Sequence, residues 1–240
     1  MSAHSFSFYS ADLMPSDPKV WITDDEHFHL SRVLRMGTGD TVRITNGLGL
    51  IVTAEIDNVG AKRTTARVSK VEANLPEPVP LVLALGMLPR THMDGALTQC
   101  VEAGITGFIP VVAERCHAKR VTEGRDERWT RVAIAAMKQS GRGWLPHIEP
   151  AVDVKDLVAR FASFATVVLA DADASTGPDA IGTPVATLGI VGPEAGFTDF
   201  ERLRIKDGGA RAVRLSAQRL RAETAALALV SMLAVGRPAV

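Results

Sequence analysis

Cysteine is almost absent from this sequence, which has only Cys100 and Cys116 and no CxxC spacing. A disulfide framework is therefore not expected, and the cytoplasm is the expected compartment. The longest apolar stretch, residues 225–235, is too short to span a bilayer, and the opening MSAHSFSFYS lacks the pattern of a signal peptide. The six histidines show no metal-ligand spacing, so no metal site is predicted.

A net charge is also lacking, because 27 Lys and Arg balance 27 Asp and Glu. The charges are nevertheless segregated along the chain. Residues 111–142 carry eight Lys or Arg against four acids, residues 201–221 carry seven against two, and residues 149–200 carry two against eight. Two distant basic segments, mostly arginine, favour a surface that meets a polyanion, although solvated helix faces would give the same pattern.

The first 72 residues have the texture of a small β-domain. Apolar and polar side chains alternate over three segments separated by turn-forming residues, namely 40–45, 50–59 and 65–73. A turn of helix at 26–36 interrupts them. Short strands at this spacing predict a small barrel, and the three prolines at 73–80 predict a linker after it.

From residue 81 onward, strands and helices alternate. The predicted strands are 81–86, 107–113, 166–171, 186–192 and 212–216. The predicted helices are one with Met93, Ala96, Leu97, Cys100 and Val101 on its apolar face and ending at Gly104, then 126–140, 153–162, 199–207 and a closing apolar helix from 222. This order predicts an α/β domain with a mostly parallel sheet.

Ligands of such sheets bind at the carboxyl ends of the strands, which here are followed by residues 170–173, 192–196 and 215–224. The familiar nucleotide signatures GxxxxGK[ST] and GxGxxG are both missing. A nucleoside-like ligand held by backbone groups of three loops therefore fits the sequence better than a phosphate group held in a glycine-rich loop.

Two stretches, IVGPEAGFTDFE at 190–201 and LSAQRLRAETAAL at 215–227, resemble the closing motifs of the SPOUT superfamily of S-adenosylmethionine-dependent RNA methyltransferases. Three more segments are similar to family motifs: HLSRVLRMGTGD at 29–40, the strand–helix–strand unit at 88–116, and KQSGRGWLP at 138–146. Within the superfamily, the five motifs in this order are close to the enzymes that methylate a uridine ring nitrogen in small-subunit ribosomal RNA, giving 3-methyluridine.

The resemblance implies a PUA-like β-barrel that binds RNA in residues 1–72, and a SPOUT methyltransferase domain with a trefoil knot in residues 78–240. It implies S-adenosylmethionine as the cofactor, a homodimer, and small-subunit ribosomal RNA or the assembled small subunit as the partner. Two alternatives stay open: a SPOUT methyltransferase that acts on another RNA such as transfer RNA, and a non-catalytic RNA-binding protein of ribosome assembly.

The resemblance and the strand ends together indicate the site residues. The predicted cofactor-binding residues are Leu169, Ala170, Gly192, Pro193, Glu194, Gly196, Leu215, Ser216, Leu220, Arg221 and Thr224. Glu194 is the candidate base for the uridine proton, and Arg221 the candidate cation on the uracil oxygens. A helix cap or a bond to loop amides would equally explain Glu194, and an ion pair with Glu223 or Glu194 would explain Arg221.

RNA contacts are predicted at His29, Arg32, Arg35, Arg115 and Arg142, with a helix-end cation as the alternative for the last two.

The chain departs from the family pattern in four places. Ala195 replaces the glycine of Gly-Pro-Glu-Gly-Gly, Ser216 replaces the glycine after Leu215, and Ala217–Gln218 stand where Pro-Arg is usual. The arginine that often follows the first methionine is absent. A Cβ atom at 195 or 216 is tolerated only if neither residue needs a positive φ.

Overall fold

The computed structural model describes residues 6–116, 125–177 and 185–237. These residues form two compact units, the first running up to Pro78 and including Met137–Leu145, and the second made of Val79–Ala136 and the chain from Pro146. The predicted division placed 137–145 in the second domain. The structure places it in the first, because the Gly143 carbonyl accepts from the Gly49 amide and the Leu145 amide donates to the Gly47 carbonyl, each at 2.9 Å. The position after the first methionine, where the family often has an arginine, lies outside the described residues.

The first unit is built on a five-stranded sheet in the order β1-β3-β4-β5-β2. Its strands are β1 (Ser7–Tyr9), β2 (Lys19–Thr23), β3 (Thr41–Thr45), β4 (Leu50–Val59) and β5 (Arg63–Asn74). β1 pairs with β3 in parallel and the other pairs are antiparallel. In the described residues β1 and β2 are not hydrogen-bonded to one another, so the ladder alone does not close a barrel.

The three predicted strands of this unit are confirmed, whereas β1 and β2 were missed. β2 carries the exposed Trp21 between the buried Val20 and Ile22, so its sequence shows an apolar run instead of an alternation. β1 is only three residues long. The helical turn predicted at 26–36 is also confirmed. It consists of α1 (Asp24–Phe28), which continues into a π-helical turn at His29–Val33.

The second unit contains a seven-stranded sheet in which every pairing is parallel. Its strands are β6 (Leu81–Gly86), β7 (Gly107–Val112), β8 (His147–Ile148), β9 (Val152–Asp153), β10 (Thr166–Ala170), β11 (Thr187–Val191) and β12 (Arg211–Val213). The order is β12-β10-β11-β6-β7, with β8 and β9 both beside β7. β6 and β11 are buried along their whole length, as continuous apolar runs predict.

In the described residues, five helices flank this sheet and its connections: α2 (Arg90–Glu102), α3 (Arg125–Ser140), α4 (Val154–Ala159), α5 (Asp199–Asp207) and α6 (Ala222–Ala234). The five apolar residues predicted on α2 are all buried, and Gly104, with φ +111°, follows its end. The helix predicted at 153–162 is instead α4 followed by a 3₁₀ turn at Phe161–Ser163. The strand predicted at 212–216 ends at Val213, which leaves Leu215 and Ser216 in a loop.

The closing helix α6 packs against α2, β6 and β11. The contact with β11 requires a small residue, because a Cβ atom on Gly189 would lie 3.0 Å from a methyl group of Leu229. Beyond the helix, Arg237 donates hydrogen bonds to the carbonyls of Val79 and Val185 and to the Thr187 hydroxyl. Arg237 thus connects the end of the described chain to the residues just before β6 and to the start of β11.

Candidate active site

A cleft of about 780 Å³ opens at the carboxyl ends of β10, β11 and β12. The loops that follow these strands all line it, as the parallel-sheet rule predicts. Of the predicted cofactor-binding residues, the cleft is lined by Leu169, Ala170, Gly192, Pro193, Glu194, Gly196, Leu215, Ser216, Leu220 and Arg221. Thr224 is not among the lining residues, and its side chain is exposed.

The loop after β11 is held tightly against the end of β6. A Cβ atom on Gly86 would lie 2.2 Å from the backbone nitrogen of Pro193, so only glycine fits there. The Gly196 amide donates to the Pro193 carbonyl at 2.7 Å, and Gly196 has φ +71°. Backbone groups of this turn therefore come to the surface of the cleft without a side chain covering them.

The two small-residue departures from the family pattern are compatible with this backbone. Among the described residues, the only non-glycine positions with positive φ are Asp24 and Arg35. Ala195 and Ser216 thus adopt conformations that any residue can adopt, and their Cβ atoms add no backbone strain.

Glu194 does not cap the following helix, and that alternative is wrong. Thr198 caps α5 with its hydroxyl, and Glu201 completes the capping box by accepting from the Thr198 amide at 2.9 Å. Glu194 instead accepts a hydrogen bond at Oε1 from His92 Nδ1, 2.9 Å away in the same cleft.

His92 is one of the cleft residues that the sequence reasoning missed, and Arg214 and Arg219 are others. His92 lies in the first turn of α2, just beyond the carboxyl end of β6. The rule that ligands bind at strand ends applies to β6 as well as to the three strands considered. Counting that fourth strand end would have drawn attention to the residues 87–92 that follow it.

Arg221 occupies the N-cap position of α6, where its backbone carbonyl accepts from the Ala225 amide at 2.8 Å. Its side chain is exposed in the cleft and makes no ion pair with Glu194 or Glu223 in the described part of the chain, so the predicted alternative is not formed. Three further arginines line the cleft without an ion pair among the described residues: Arg115, Arg214 and Arg219. The cleft also contains Glu194 and Glu223, and the paired Asp171 and Asp173. The arginines without a described ion pair are the groups that could contact an anionic part of a ligand.

Asp171 anchors the loop after β10 to α5. Its carboxylate lies 2.8 Å from Lys206 Nζ and 3.8 Å from Arg202 Nη1, while Arg202 also pairs with Asp173 at 2.8 Å. Burial opposes ionisation of Asp171. The hydrogen bond from Lys206, a backbone amide and the two cations outweigh that effect and lower the pKa of the carboxyl group. The loop is thus held by charge-assisted contacts.

The predicted RNA-binding residues fall into three environments. His29, Arg32 and Arg35 are exposed on the first unit, within or just after the π-helical turn, and Arg115 is exposed at the cleft of the second unit. Arg142 is only 7% exposed, and burial lowers its pKa to about 10. A buried guanidinium does not fit the RNA contact predicted for Arg142.

Within the described residues, no helix is long and apolar enough to cross a membrane, and no group of His, Cys, Asp or Glu could hold a metal ion. Both cysteines are free and buried, and desolvation raises the pKa of Cys100 to about 12.

Fold and site together define an α/β protein that binds a ligand in loops at one edge of a parallel sheet. Residues 75–234 match a family described as RNA methyltransferase domain, and residues 22–69 match the RNA methyltransferase PUA domain. The chain belongs to this family of RNA methyltransferases, with a PUA-like domain in its N-terminal part.

Several relatives are similar over nearly the whole chain. The ribosomal RNA small subunit methyltransferase E of Mycobacterium bovis is 32% identical, covering 95% of this chain and 90% of its own. The crystal structure of the enzyme of that name from Neisseria gonorrhoeae, bound to S-adenosyl methionine, is 28% identical with a TM-score of 0.88, covering 95% of this chain and 96% of its own. A Legionella pneumophila structure in complex with SAM is 25% identical with a TM-score of 0.87, covering 96% and 97%.

Proposed function

We propose that this protein transfers a methyl group from S-adenosylmethionine to a ring nitrogen of a uridine in small-subunit ribosomal RNA, giving 3-methyluridine. The observation that carries the proposal is the convergence of three strand-end loops and four arginines without a described ion pair in one cleft of an RNA methyltransferase domain. The names of the relatives, and the cofactor bound in two of the solved structures, support the same reaction class.

The cleft has the size and lining that the cofactor needs. Its volume of about 780 Å³ is within the range of small-molecule pockets. Gly192 allows the turn after β11 to pack closely, since a Cβ atom there would lie 3.2 Å from the Phe197 ring. The ten lining residues named above would hold S-adenosylmethionine, largely through backbone groups. The cofactor would supply an electrophilic methyl group, whose carbon a nucleophile attacks in line with the carbon–sulfur bond that breaks.

The chain must then make the uridine nitrogen nucleophilic. That nitrogen belongs to an imide, and its lone pair becomes usable only when its proton leaves. Proton removal is assigned to Glu194, directly or through its hydrogen-bonded neighbour, and stabilisation of the negative charge on the uracil oxygens is assigned to Arg221. Both side chains are exposed to the cleft in which the methyl group would be presented.

Recognition of the RNA is assigned to exposed cations on each unit. His29, Arg32 and Arg35 would hold the RNA backbone, and Arg115 would contact a phosphate near the cleft. Phosphate contacts position an RNA without reading its sequence, so these residues would orient the target for the groups in the cleft.

Three structural features of the family belong to the same proposal. RNA binding resides in residues 1–72, and cofactor binding, catalysis and dimerisation reside in residues 78–240. The C-terminal segment is threaded into a trefoil knot that contains the three cleft loops. The functional molecule is a homodimer.

Transfer of tritium from labelled S-adenosylmethionine to small subunits that lack the modification tests the function, followed by mapping of the labelled nucleotide. Label at the ring nitrogen of one small-subunit uridine is expected. Label on transfer RNA alone would identify transfer RNA, and not ribosomal RNA, as the substrate. Absence of cofactor binding by calorimetry would instead point to a non-catalytic RNA-binding protein.

A further inference from the structure

We propose that His92 is the catalytic group that accepts the uridine proton, and that Glu194 is a positioning residue that acts through it. The inference rests on the proposed function and names the proton acceptor of that reaction. It derives from one contact, the 2.9 Å hydrogen bond between His92 Nδ1 and Glu194 Oε1.

The contact fixes which imidazole nitrogen can act as a base. An ionised carboxylate can only accept a hydrogen bond, so Nδ1 carries the hydrogen and Nε2 keeps its lone pair. In the described residues Nε2 has no hydrogen-bond partner, and the His92 side chain is 43% exposed in the cleft. A neutral imidazole held in this tautomer presents an acceptor to whatever enters the cleft.

The backbones that carry the two residues are held together. β6 and β11 are neighbouring parallel strands, with Leu85 opposite Val191, so the loops after them start side by side. The tight fit of Gly86 against Pro193 fixes their distance, and the Met93 amide donates to the Pro89 carbonyl at 3.0 Å to start the helix that carries His92.

Of the two members of the pair, the histidine is better suited to take the proton. Glu194 Oε1 already accepts a hydrogen bond from His92, whereas Nε2 of the imidazole keeps a lone pair that has no hydrogen-bond partner in the described residues. After proton transfer, the imidazolium would lie against the Glu194 carboxylate, which stabilises it. In other enzymes a carboxylate likewise orients a histidine that acts as the base and stabilises the imidazolium that forms.

The charges around His92 permit this role. On its own helix, Asp94 is engaged by Arg128, which leaves Arg90 as the other charged group in the first turn. The loops opposite contribute Glu194, Arg221 and Glu223 to the same cleft. Glu194 is the group in hydrogen-bond contact with the imidazole.

The step balances without another reactant. The hydrogen on the uridine nitrogen passes to His92 Nε2, and the electron pair left on that nitrogen forms the new bond to the methyl carbon. The carbon–sulfur bond breaks, and its electron pair stays on the sulfur. Release of the proton from the imidazolium to solvent then restores the neutral imidazole.

The kinetic test compares His92→Asn with wild type at saturating RNA and cofactor. Loss of a general base is expected to slow methyl transfer about 100-fold or more near neutral pH. The loss should shrink as the pH rises, because the imide then ionises unaided. Calorimetry should show cofactor and RNA affinities within about twofold of wild type. His147→Asn, at an exposed histidine outside the cleft lining, is the matched control and should be fully active.

A second readout needs no turnover. Nitrogen-15 spectra of histidine-labelled protein without ligands should show the His92 ring with the hydrogen on Nδ1. In Glu194→Gln this preference should weaken, because an amide can accept from one ring nitrogen or donate to it. Methyl transfer by Glu194→Gln should fall less than by His92→Asn, and should also recover at high pH.

Several outcomes would overturn the inference while leaving the function intact. An active wild type together with an equally active His92→Asn would do so, as would a deficit that is the same at every pH. A larger loss in Glu194→Gln than in His92→Asn would make Glu194 the base. A wild type that binds cofactor but labels no RNA would instead refute the proposed function.

Discussion

The turn after β11, which lines the cofactor cleft, does not readily accept a Cβ atom at its two glycines. Gly192 has the Phe197 ring and the Gly196 backbone within 3.4 Å of where its Cβ would be, and Gly196 has φ +71°. Any larger side chain must therefore displace the turn or protrude into the space where the ligand binds.

Gly192→Val and Gly196→Val are each expected to abolish detectable S-adenosylmethionine binding in calorimetry. At position 192 the branched side chain would crowd the Phe197 ring and the Gly196 backbone and displace the turn that lines the cleft, and at position 196 it would impose backbone strain. Gly95→Val, at a helical glycine with open space around it, is the control and should bind normally. Normal binding by both cleft variants, with circular dichroism unchanged, would contradict the pocket.

Arg221→Ala should slow methyl transfer at saturating RNA, because the guanidinium is proposed to stabilise charge that develops on the uracil. Removal of one such electrostatic contact typically costs about 100-fold in kcat. Arg131→Ala, which removes an exposed arginine from α3, serves as the control. An effect of Arg221→Ala on KM for RNA alone would reassign it to phosphate binding.

At the scale of secondary structure, the π-helical turn brings predicted RNA-binding residues together. His29 and Arg32 lie within it, Leu30 is buried beneath it, and Arg35 follows with φ +54°. Such turns recur at functional sites, where they re-aim side chains. A strained non-glycine residue beside exposed cations is consistent with selection for position rather than for stability.

Arg32→Ala and Arg35→Ala should each weaken RNA binding and reduce the slope of log K against log salt by about one unit per phosphate contact. Cofactor affinity should not change. Lys70→Ala, at an exposed lysine of β5, is the comparison for a general loss of charge. If the two arginine variants lose cofactor binding instead, the division of labour between the units is refuted.

The contacts of Asp171 predict a pH-dependent contribution to stability. Its pKa is lowered in the folded state, so its contribution is complete above the ordinary aspartate value of about 3.9 and is lost as the pH falls through the folded value. Asp171→Asn should lower the free energy of unfolding by about 2 kcal/mol at pH 7, the size typical of a contact to a charged group, and the difference should fade in acid. Urea titrations measure this, with exposed Asp207→Asn as the control. A difference that persists undiminished in acid would refute the charge-based explanation.

Hydrophobic periodicity in the sequence could predict the strands and helices that are long and regular. The strand at 81–86, the helix at 199–207 and the start of the closing helix at 222 agree with the structure residue for residue. β8 and β9 are two residues each and carry no periodicity. The cleft loops could be predicted from the strand ends, but the His92–Glu194 contact joins residues 102 apart and depends on strand order, which periodicity does not encode.

At the scale of the whole molecule, the partial burial of α6 suggests how two copies of the chain would associate. One face of the helix is buried within the unit, including Ala226, Leu229 and Leu233, while Leu227 and Met232 are half-buried and Val235 is 77% exposed. We expect a homodimer that covers these remaining apolar groups. Light scattering at micromolar concentration measures the mass, and a monodisperse monomer would refute the prediction.

The membership of residues 137–145 in the first unit has a consequence for the order of events during synthesis. A ribosome makes residues 79–136 before it makes the segment that pairs with Gly47 and Gly49. Domains commonly fold from the N terminus as the chain emerges, but here the earlier unit lacks its last piece until much of the later one exists. A nascent chain that ends at residue 78 leaves the Gly47 carbonyl and the Gly49 amide without their partners, and the N-terminal unit is completed only after the ribosome has passed residue 145.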